Sequence, residues 1–309
     1  MSMTVGSYYG GAGGLLLGFQ QTGYEAAYIW DDRDFCKENY LLWPGLSQDP
    51  SQRVDVIVSS PPCKRFSNLA IKDKNRHDFK TEDLEYIQVF RKIEDEQPIA
   101  FVVENLASIQ KFFSYDPGTS WIIDKEGKQI VCLATYQVLS LKLDSFDFGV
   151  PQHRKRLYLV GILRRHRNHT PFQFYNPIRD MDEEKKLTVG KALSDVDGLP
   201  NMEAPNHKPE RIKGFQELAI GKSYYNTQNN LRIDPNRPSP TITSHRTAYV
   251  HPFLPRTLTV RETARLMGFP DDFIFYGPRT HQLDQVGCGV CPPVAKYLAR
   301  WLRGFIVER

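Results

Sequence analysis

Two short, β-branched apolar runs constrain this chain most: residues 54–58 (Val-Asp-Val-Ile-Val) and 99–103 (Ile-Ala-Phe-Val-Val), each bounded by turn residues. Runs of that length and composition read as buried strands. Between them, residues 82–93 have helical spacing. The same alternation begins earlier. Residues 4–9 read as a first strand, 10–14 as a glycine-rich turn, 15–21 as a helix with Gly23 just past its end, and 26–30 as a second strand ending at Asp31. Residues 157–163 are a further strand. Strands alternating with helices predict an α/β fold built on a mostly parallel sheet covered on both faces.

The pattern breaks after Arg164. From there to about residue 250 the chain is rich in Pro, Gly, Asn and charge, with few clear periods. Regular pattern returns with a helix over 259–267 and an amphipathic one over 292–305. The expected organisation is therefore 1–163, an insert at 164–250, and a returning segment at 251–309. Charge shifts at the same place. The insert holds 14 Lys and Arg against 10 Asp and Glu, whereas the rest of the chain holds 26 of each, so the whole net charge of +4 lies in the insert. A basic insert in a neutral body suits a polyanion.

With 40% hydrophobic and 25% charged residues, the 309-residue chain has the composition of a soluble globular protein. No apolar run reaches the roughly 18 residues of a membrane span, and residues 1–14 lack the features of a signal peptide. The five cysteines are odd in number and irregular in spacing, which points to reduced thiols and a cytoplasmic location. Cys288 and Cys291 form a Cys-x-x-Cys without two further ligands at ordered spacing, so they read as ordinary cysteines and no metal is expected.

Four features carry chemistry. Tyr9-Gly10-Gly11-Ala12-Gly13-Gly14 follows a strand and opens a helix, where glycines let a backbone approach a ligand closely. Asp31, at the end of the next strand, is placed to meet ribose hydroxyls; together they suggest an adenosine-containing cofactor. Ser59-Ser60-Pro61-Pro62-Cys63 follows the 54–58 run, with two prolines fixing the chain and Lys64 and Arg65 next to a candidate nucleophile. Glu104-Asn105 closes the 99–103 run, where a carboxylate is costly unless it has a partner or a task. Gln152-His153-Arg154-Lys155-Arg156 precedes another strand, and its alternate arginines point the same way.

In that order these motifs resemble the DNA cytosine-5 methyltransferase family, bacterial or phage type. Tyr9, Gly11 and Gly13 match its Phe-x-Gly-x-Gly pattern. Residues 256–270 and Gln285-Val286-Gly287 with Val290 resemble its late motifs, and Arg237-Pro238-Ser239-Pro240 the segment before them. The resemblance implies a Rossmann-like S-adenosylmethionine-dependent methyltransferase domain plus a smaller, irregular target recognition domain at 164–250. It implies Cys63 as the nucleophile that adds to carbon 6 of cytosine, and Glu104 as the group at ring nitrogen 3. Arg154 is then expected to touch the base carbonyl and steady Glu104, with Arg156 beside it. Cofactor contacts fall on Tyr9, Gly11, Gly13, Asp31, Asp49, Pro62, Leu84, Cys288 and Val290. DNA contacts fall on Lys64, Arg65, Ser67, Gln152 and Arg237, with the basic 64–80 stretch closing over double-stranded DNA. The base must leave the stack to be reached. A monomer in a bacterial or phage-infected cell is expected, with or without a cognate restriction enzyme.

The chain departs from the family pattern at four places. Lys64 stands for Gln, Ser59-Ser60 for a Gly pair, Tyr9 for Phe, and Cys288 for the Asn of Gly-Asn, near the methionine end of the cofactor. The last leaves open a modified S-adenosylmethionine as donor. An RNA substrate and an inactive DNA-binding regulator also stay open. The Cys-Phe-Thr signature of the tRNA-modifying branch is not seen, and Cys63, Glu104 and Arg154 are intact.

Overall fold

The computed structural model describes residues 2–63, 84–175, 187–224, 230–243 and 248–307. In chain order the first half contains β1 (Thr4–Tyr8), α1 (Gly14–Gln20), β2 (Glu25–Trp30), α2 (Asp34–Lys37), β3 (Val56–Ser59), α3 (Glu85–Glu96) and β4 (Ala100–Asn105). Three short strands follow, β5 (Phe113–Asp116), β6 (Trp121–Asp124) and β7 (Gln129–Cys132), then the long β8 (Tyr136–Asp144) and β9 (Lys155–Leu163). The remainder is helical or irregular: α4 (Val189–Ala192), α5 (Pro209–Glu217), α6 (Val260–Leu266), α7 (Arg279–Cys288) and α8 (Pro292–Arg303).

The central sheet runs β2-β1-β3-β4-β9-β8. Its first three pairings are parallel; the last two, β4 with β9 and β9 with β8, are antiparallel. The expected mostly parallel α/β sheet is present, with two departures. The 157–163 strand runs against its neighbour, and β8 extends the sheet beyond it. A separate antiparallel sheet, β5-β6-β7, has no counterpart in the sequence pattern. Its strands are four residues each and only partly buried, too short to show a clear period.

One face of the sheet is covered by α1 and α8. They pack so closely that a Cβ on Gly18 would lie 2.4 Å from the Cβ of Ala295. The other face is covered by α3, which buries Tyr86, Ile87, Val89, Phe90 and Ile93 at helical spacing. Register aligns the carboxyl ends of the parallel strands: Tyr8 pairs with Ser59, and Ser59 with Val103. The glycine turn, the Pro-Pro-Cys segment and Glu104 thus emerge at one edge, where open α/β sheets bind ligands.

The late segment is fastened by buried charge. Thr259 caps α6 in a reciprocal capping box with Glu262. Glu262 is fully buried and accepts two hydrogen bonds of 2.7 Å from Arg256. Its Oε1 lies 3.5 Å from Nε2 of His251. Nδ1 of His251 accepts from the amides of Phe253 and Leu254, which assigns its ring proton to Nε2. Arg261, also fully buried, donates to the carbonyls of Pro200, Pro270 and Phe273.

Burial pushes the His251 imidazole down from 6.5 to about 4, with Glu262 pulling the other way. Burial alone would raise Glu262, but the Arg256 hydrogen bonds and the Thr259 amide hold it below its ordinary value. The unfolded chain takes up protons that the folded chain refuses, so stability falls as pH drops from about 6.5 toward 4. His251→Gln should flatten that fall. Thermal melts of the two proteins across this range would show it, and parallel curves would refute it.

Candidate active site

The glycine turn is held by its own neighbours. Tyr9, Gly11 and Gly13 all have positive φ, at 54°, 59° and 91°, and a Cβ on Gly13 would sit 2.1 Å from the Trp43 ring. The Gly11 amide donates to Oδ2 of Asp31 at 2.8 Å. Asp31 is fully buried and forms a two-pronged ion pair with Arg33, Nε to Oδ1 at 2.7 Å and Nη2 to Oδ2 at 2.6 Å. Burial opposes ionisation of Asp31, but Arg33 and the Gly11 amide outweigh it and keep the carboxyl below the usual range. In this conformation Asp31 braces the turn, and its neighbour Asp32 carries the exposed carboxylate. Tyr9 lies against Trp30 and Tyr8 and donates through its hydroxyl to Gln88 on α3.

The second cluster joins β3, β4 and β9. Cys63 is partly exposed, and Pro61 before it is held by Asn105, whose Nδ2 donates to the Pro61 carbonyl at 3.2 Å. Glu104 is almost buried. One of its oxygens accepts from the Ser60 hydroxyl at 2.6 Å, and the other faces Nε of Arg156 at 3.2 Å. In the antiparallel register Glu104 pairs with Tyr158, so Arg156, two residues earlier, shares its face of the sheet. Burial pushes the Cys63 thiol above its ordinary pKa; Glu104 adds to this, and Arg156 and Arg154 oppose it. At rest the Cys63 thiol therefore resists ionisation and needs a base or a change of surroundings to become a thiolate.

Two expectations need correcting. Arg154 does not steady Glu104; Arg156 does. Arg154 is buried and donates to the carbonyls of Ile242 at 2.6 Å, Gly287 at 3.1 Å and Gly289 at 3.0 Å. It staples the far end of the insert and the late glycine segment to β9. Gln152, expected on DNA, is fully buried: Nε2 donates to the Leu266 carbonyl and Oε1 accepts from the Ile242 amide. Both errors share a cause, since a polar side chain and a cation beside a strand can be satisfied by carbonyls the sequence does not show to be near.

The remaining expected residues are distributed as follows. Asp49 is exposed in a turn, with both carboxylate oxygens on Ser51. Leu84 is buried before α3 in the same apolar cluster as Tyr9. Val290 is buried, and its carbonyl lies 2.3 Å from where a Cβ on Gly14 would stand. Cys288 ends α7 beside Gly11: a Cβ there would be 3.8 Å from both Sγ of Cys288 and Nη2 of Arg33. Pro62 precedes Cys63. Arg237 is 80% exposed, 3.6 Å from Asp234. Lys64, Arg65, Ser67 and the whole 64–80 stretch lie outside the described residues. Ser60, Arg33 and Cys36 are site neighbours that sequence reasoning did not select. Ser60 stands out in the sequence only as a departure from Gly, and its hydroxyl is the available signal.

Known proteins share this fold. A putative DNA modification methyltransferase from an E. coli prophage superposes with a TM-score of 0.77 at 20% identity, covering 98% of this chain and 99% of that one. The Entamoeba histolytica methyltransferase EhMeth follows at 0.64 and 16%, covering 98% of each chain. The fold is that of S-adenosylmethionine-dependent methyltransferases. Residues 3–303 match the profile of the C-5 cytosine-specific DNA methylases, and the chain belongs to that family; it is a DNA (cytosine-5-)-methyltransferase. Its relatives include the type II methyltransferase M1.HphI of Haemophilus parahaemolyticus, 28% identical over 97% of this chain and 86% of that one. The putative type II methyltransferase M.MJ0563P of Methanocaldococcus jannaschii is 28% identical over 82% and 78%.

The geometry separates the two arginines experimentally. Arg156→Ala removes the cation facing Glu104 and should cut methylation turnover by about 10²–10³. Arg154→Ala strips a donor from three buried carbonyls and should lower stability by about 2–4 kcal/mol. Urea denaturation alongside turnover would distinguish them. Equal effects of both variants on both measurements would refute the division.

Proposed function

We propose that this enzyme methylates carbon 5 of a cytosine swung out of double-stranded DNA, with S-adenosylmethionine as donor and Cys63 as covalent nucleophile. One observation carries the proposal: the Pro-Pro-Cys segment, Glu104 and Arg156 come from three separate strands and meet at one sheet edge beside the glycine turn. When bound, the donor supplies an electrophilic methyl group. A Cβ on Gly11 would meet Arg33 and Cys288 only at ordinary contact distance, 3.8 Å, so the turn leaves room beside it; Tyr9, Gly11, Gly13, Asp31, Asp49, Pro62, Leu84, Cys288 and Val290 are the residues proposed to hold the donor.

The protein's own residues supply the rest. Loss of the Cys63 proton and attack on carbon 6 form the S–C bond and place electron density on carbon 5. Glu104, oriented by Ser60 and Arg156, hydrogen-bonds at ring nitrogen 3, where charge would otherwise accumulate. After transfer a base takes the carbon 5 proton, the electrons left behind re-form the 5,6 double bond, and the S–C bond breaks to return Cys63 as a thiolate. Residues 164–250 act as the target recognition region, with Arg237 exposed to meet DNA. A monomer acting in the cytoplasm fits this role, with or without a partner endonuclease.

One observation favours a second reading, a modified S-adenosylmethionine as donor. The family's Asn is Cys288 here, and a guanidinium, Arg33, stands beside it, so a substituent on the donor would meet different chemistry. Mass spectrometry of the nucleoside formed on DNA decides between the donors.

Cys63→Ser should abolish turnover. Wild type should be trapped covalently on a duplex carrying 5-fluorocytosine, because fluorine is not eliminated. Since the resting thiol resists ionisation, trapping should accelerate as pH rises above 7. An adduct formed by Cys63→Ala would remove this cysteine from the mechanism. Grafting residues 164–250 into a family member with another target should carry the methylation site along, read by bisulfite sequencing. An active chimera that keeps its host's target would place specificity elsewhere.

A further inference from the structure

We propose that Cys36 and Cys288 form an oxidisable dithiol, and that a hydroperoxide converts it to a disulfide that disables the donor site. The two sulfurs lie 3.9 Å apart, brought together across 252 residues by the packing of α2 against α7. The adjacent-looking Cys288–Cys291 pair is not used, because Cys291 turns its sulfur to that of Met267 at 4.0 Å. Cys36 is fully buried and Cys288 is partly exposed, so only Cys288 is open to a small oxidant.

The surroundings divide the roles. The hydrogen bond from Cys36 holds the Cys288 thiol below its ordinary range; burial opposes this and Arg33 assists it. Cys36 is pushed up, chiefly by burial. Cys288, the partly exposed and more readily ionised of the two, is therefore the attacking sulfur, and the buried Cys36 the resolving thiol. The Cys288 sulfur attacks the outer peroxide oxygen. The O–O bond breaks, and the alkoxide leaves as an alcohol after taking a proton, with Cys288 now a sulfenic acid. The Cys36 sulfur then attacks that sulfur, the S–O bond breaks, and the hydroxide departs with the Cys36 proton as water. Two thiols have lost two electrons and one peroxide has gained them.

Bonding requires the sulfurs to close from 3.9 Å to about 2.05 Å. Cys288 cannot move alone. The carbonyls on either side of it, Gly287 and Gly289, are held by Arg154, and the carbonyl of Val290 abuts Gly14. A shift toward α2 therefore disturbs the wall of the glycine turn. The effect on donor binding rests on the donor site proposed above; formation of the disulfide does not.

The test uses the full chain with Cys63→Ser, so that the nucleophile does not contribute. Hydrogen peroxide is added, followed by non-reducing peptide mass spectrometry and calorimetry with S-adenosylmethionine. The expected result is a Cys36–Cys288 cross-link, with fragmentation distinguishing Cys288 from Cys291 on the shared peptide. Affinity should fall at least tenfold and return on reduction with dithiothreitol. Cys36→Ser, or Cys36→Ala should the serine fold poorly, should keep its affinity through peroxide treatment. Absence of the cross-link, or a cross-link between other cysteines, overturns the dithiol. A cross-link with unchanged affinity overturns its control of the site. If the reduced protein binds no S-adenosylmethionine, the donor assignment fails, and the cross-linked peptide alone decides the dithiol.

Discussion

The antiparallel pairing of β9 with β4 is the constraint on which the site depends. A strand inserted parallel at this position would present its first residues at the far end of the sheet. Running the other way, β9 delivers residues 152–156 to the edge where the parallel strands end. Arg156 can then face Glu104, and Ser60 reaches the same carboxylate from the neighbouring strand. A nearly buried carboxylate is costly without partners; here it has one cation and one hydroxyl, and together they fix where its oxygens point.

Buried guanidiniums solve a second problem, the attachment of irregular segments to a regular sheet. Arg154 and Arg261 each donate to three backbone carbonyls. Such carbonyls belong to loops that have no ladder to pair with, and leaving them unpaired in the interior would be destabilising. One planar donor with several N–H groups can satisfy carbonyls from different segments at once. Arg154 thereby ties the end of the basic insert, at Ile242, to the Gly287–Gly289 turn. The region proposed to read DNA and the glycine segment proposed to wall the donor site share one fastening.

Asp31, Arg33, Cys36 and Cys288 meet in one corner of the molecule. A carboxylate, a guanidinium and two thiols share a small volume next to Gly11. The Asp31–Arg33 pair balances its own charge and orders the glycine turn through the Gly11 amide. Cys288 stands where the family pattern has a carboxamide, and Cys36 beside it gives the corner two thiols 3.9 Å apart.

Much of this was determined by the sequence alone. Short β-branched runs, a glycine turn and helical spacing are local, and they set the α/β class and the strand ends that carry Cys63 and Glu104. The Thr259–Glu262 capping box was likewise set by residues three apart. Tertiary structure decided what local pattern cannot encode. The direction of β9 depends on which neighbour it joins, not on its own apolar run. The exchange of roles between Arg154 and Arg156 depends on which carbonyls fold back to meet them. The burial of Gln152 depends on Leu266 and Ile242, about 90 or more residues away. The pairing of Cys288 with Cys36 rather than Cys291 depends on the packing of two helices far apart in the chain. In each case the side chain was visible in the sequence, but its partner was chosen by long-range packing.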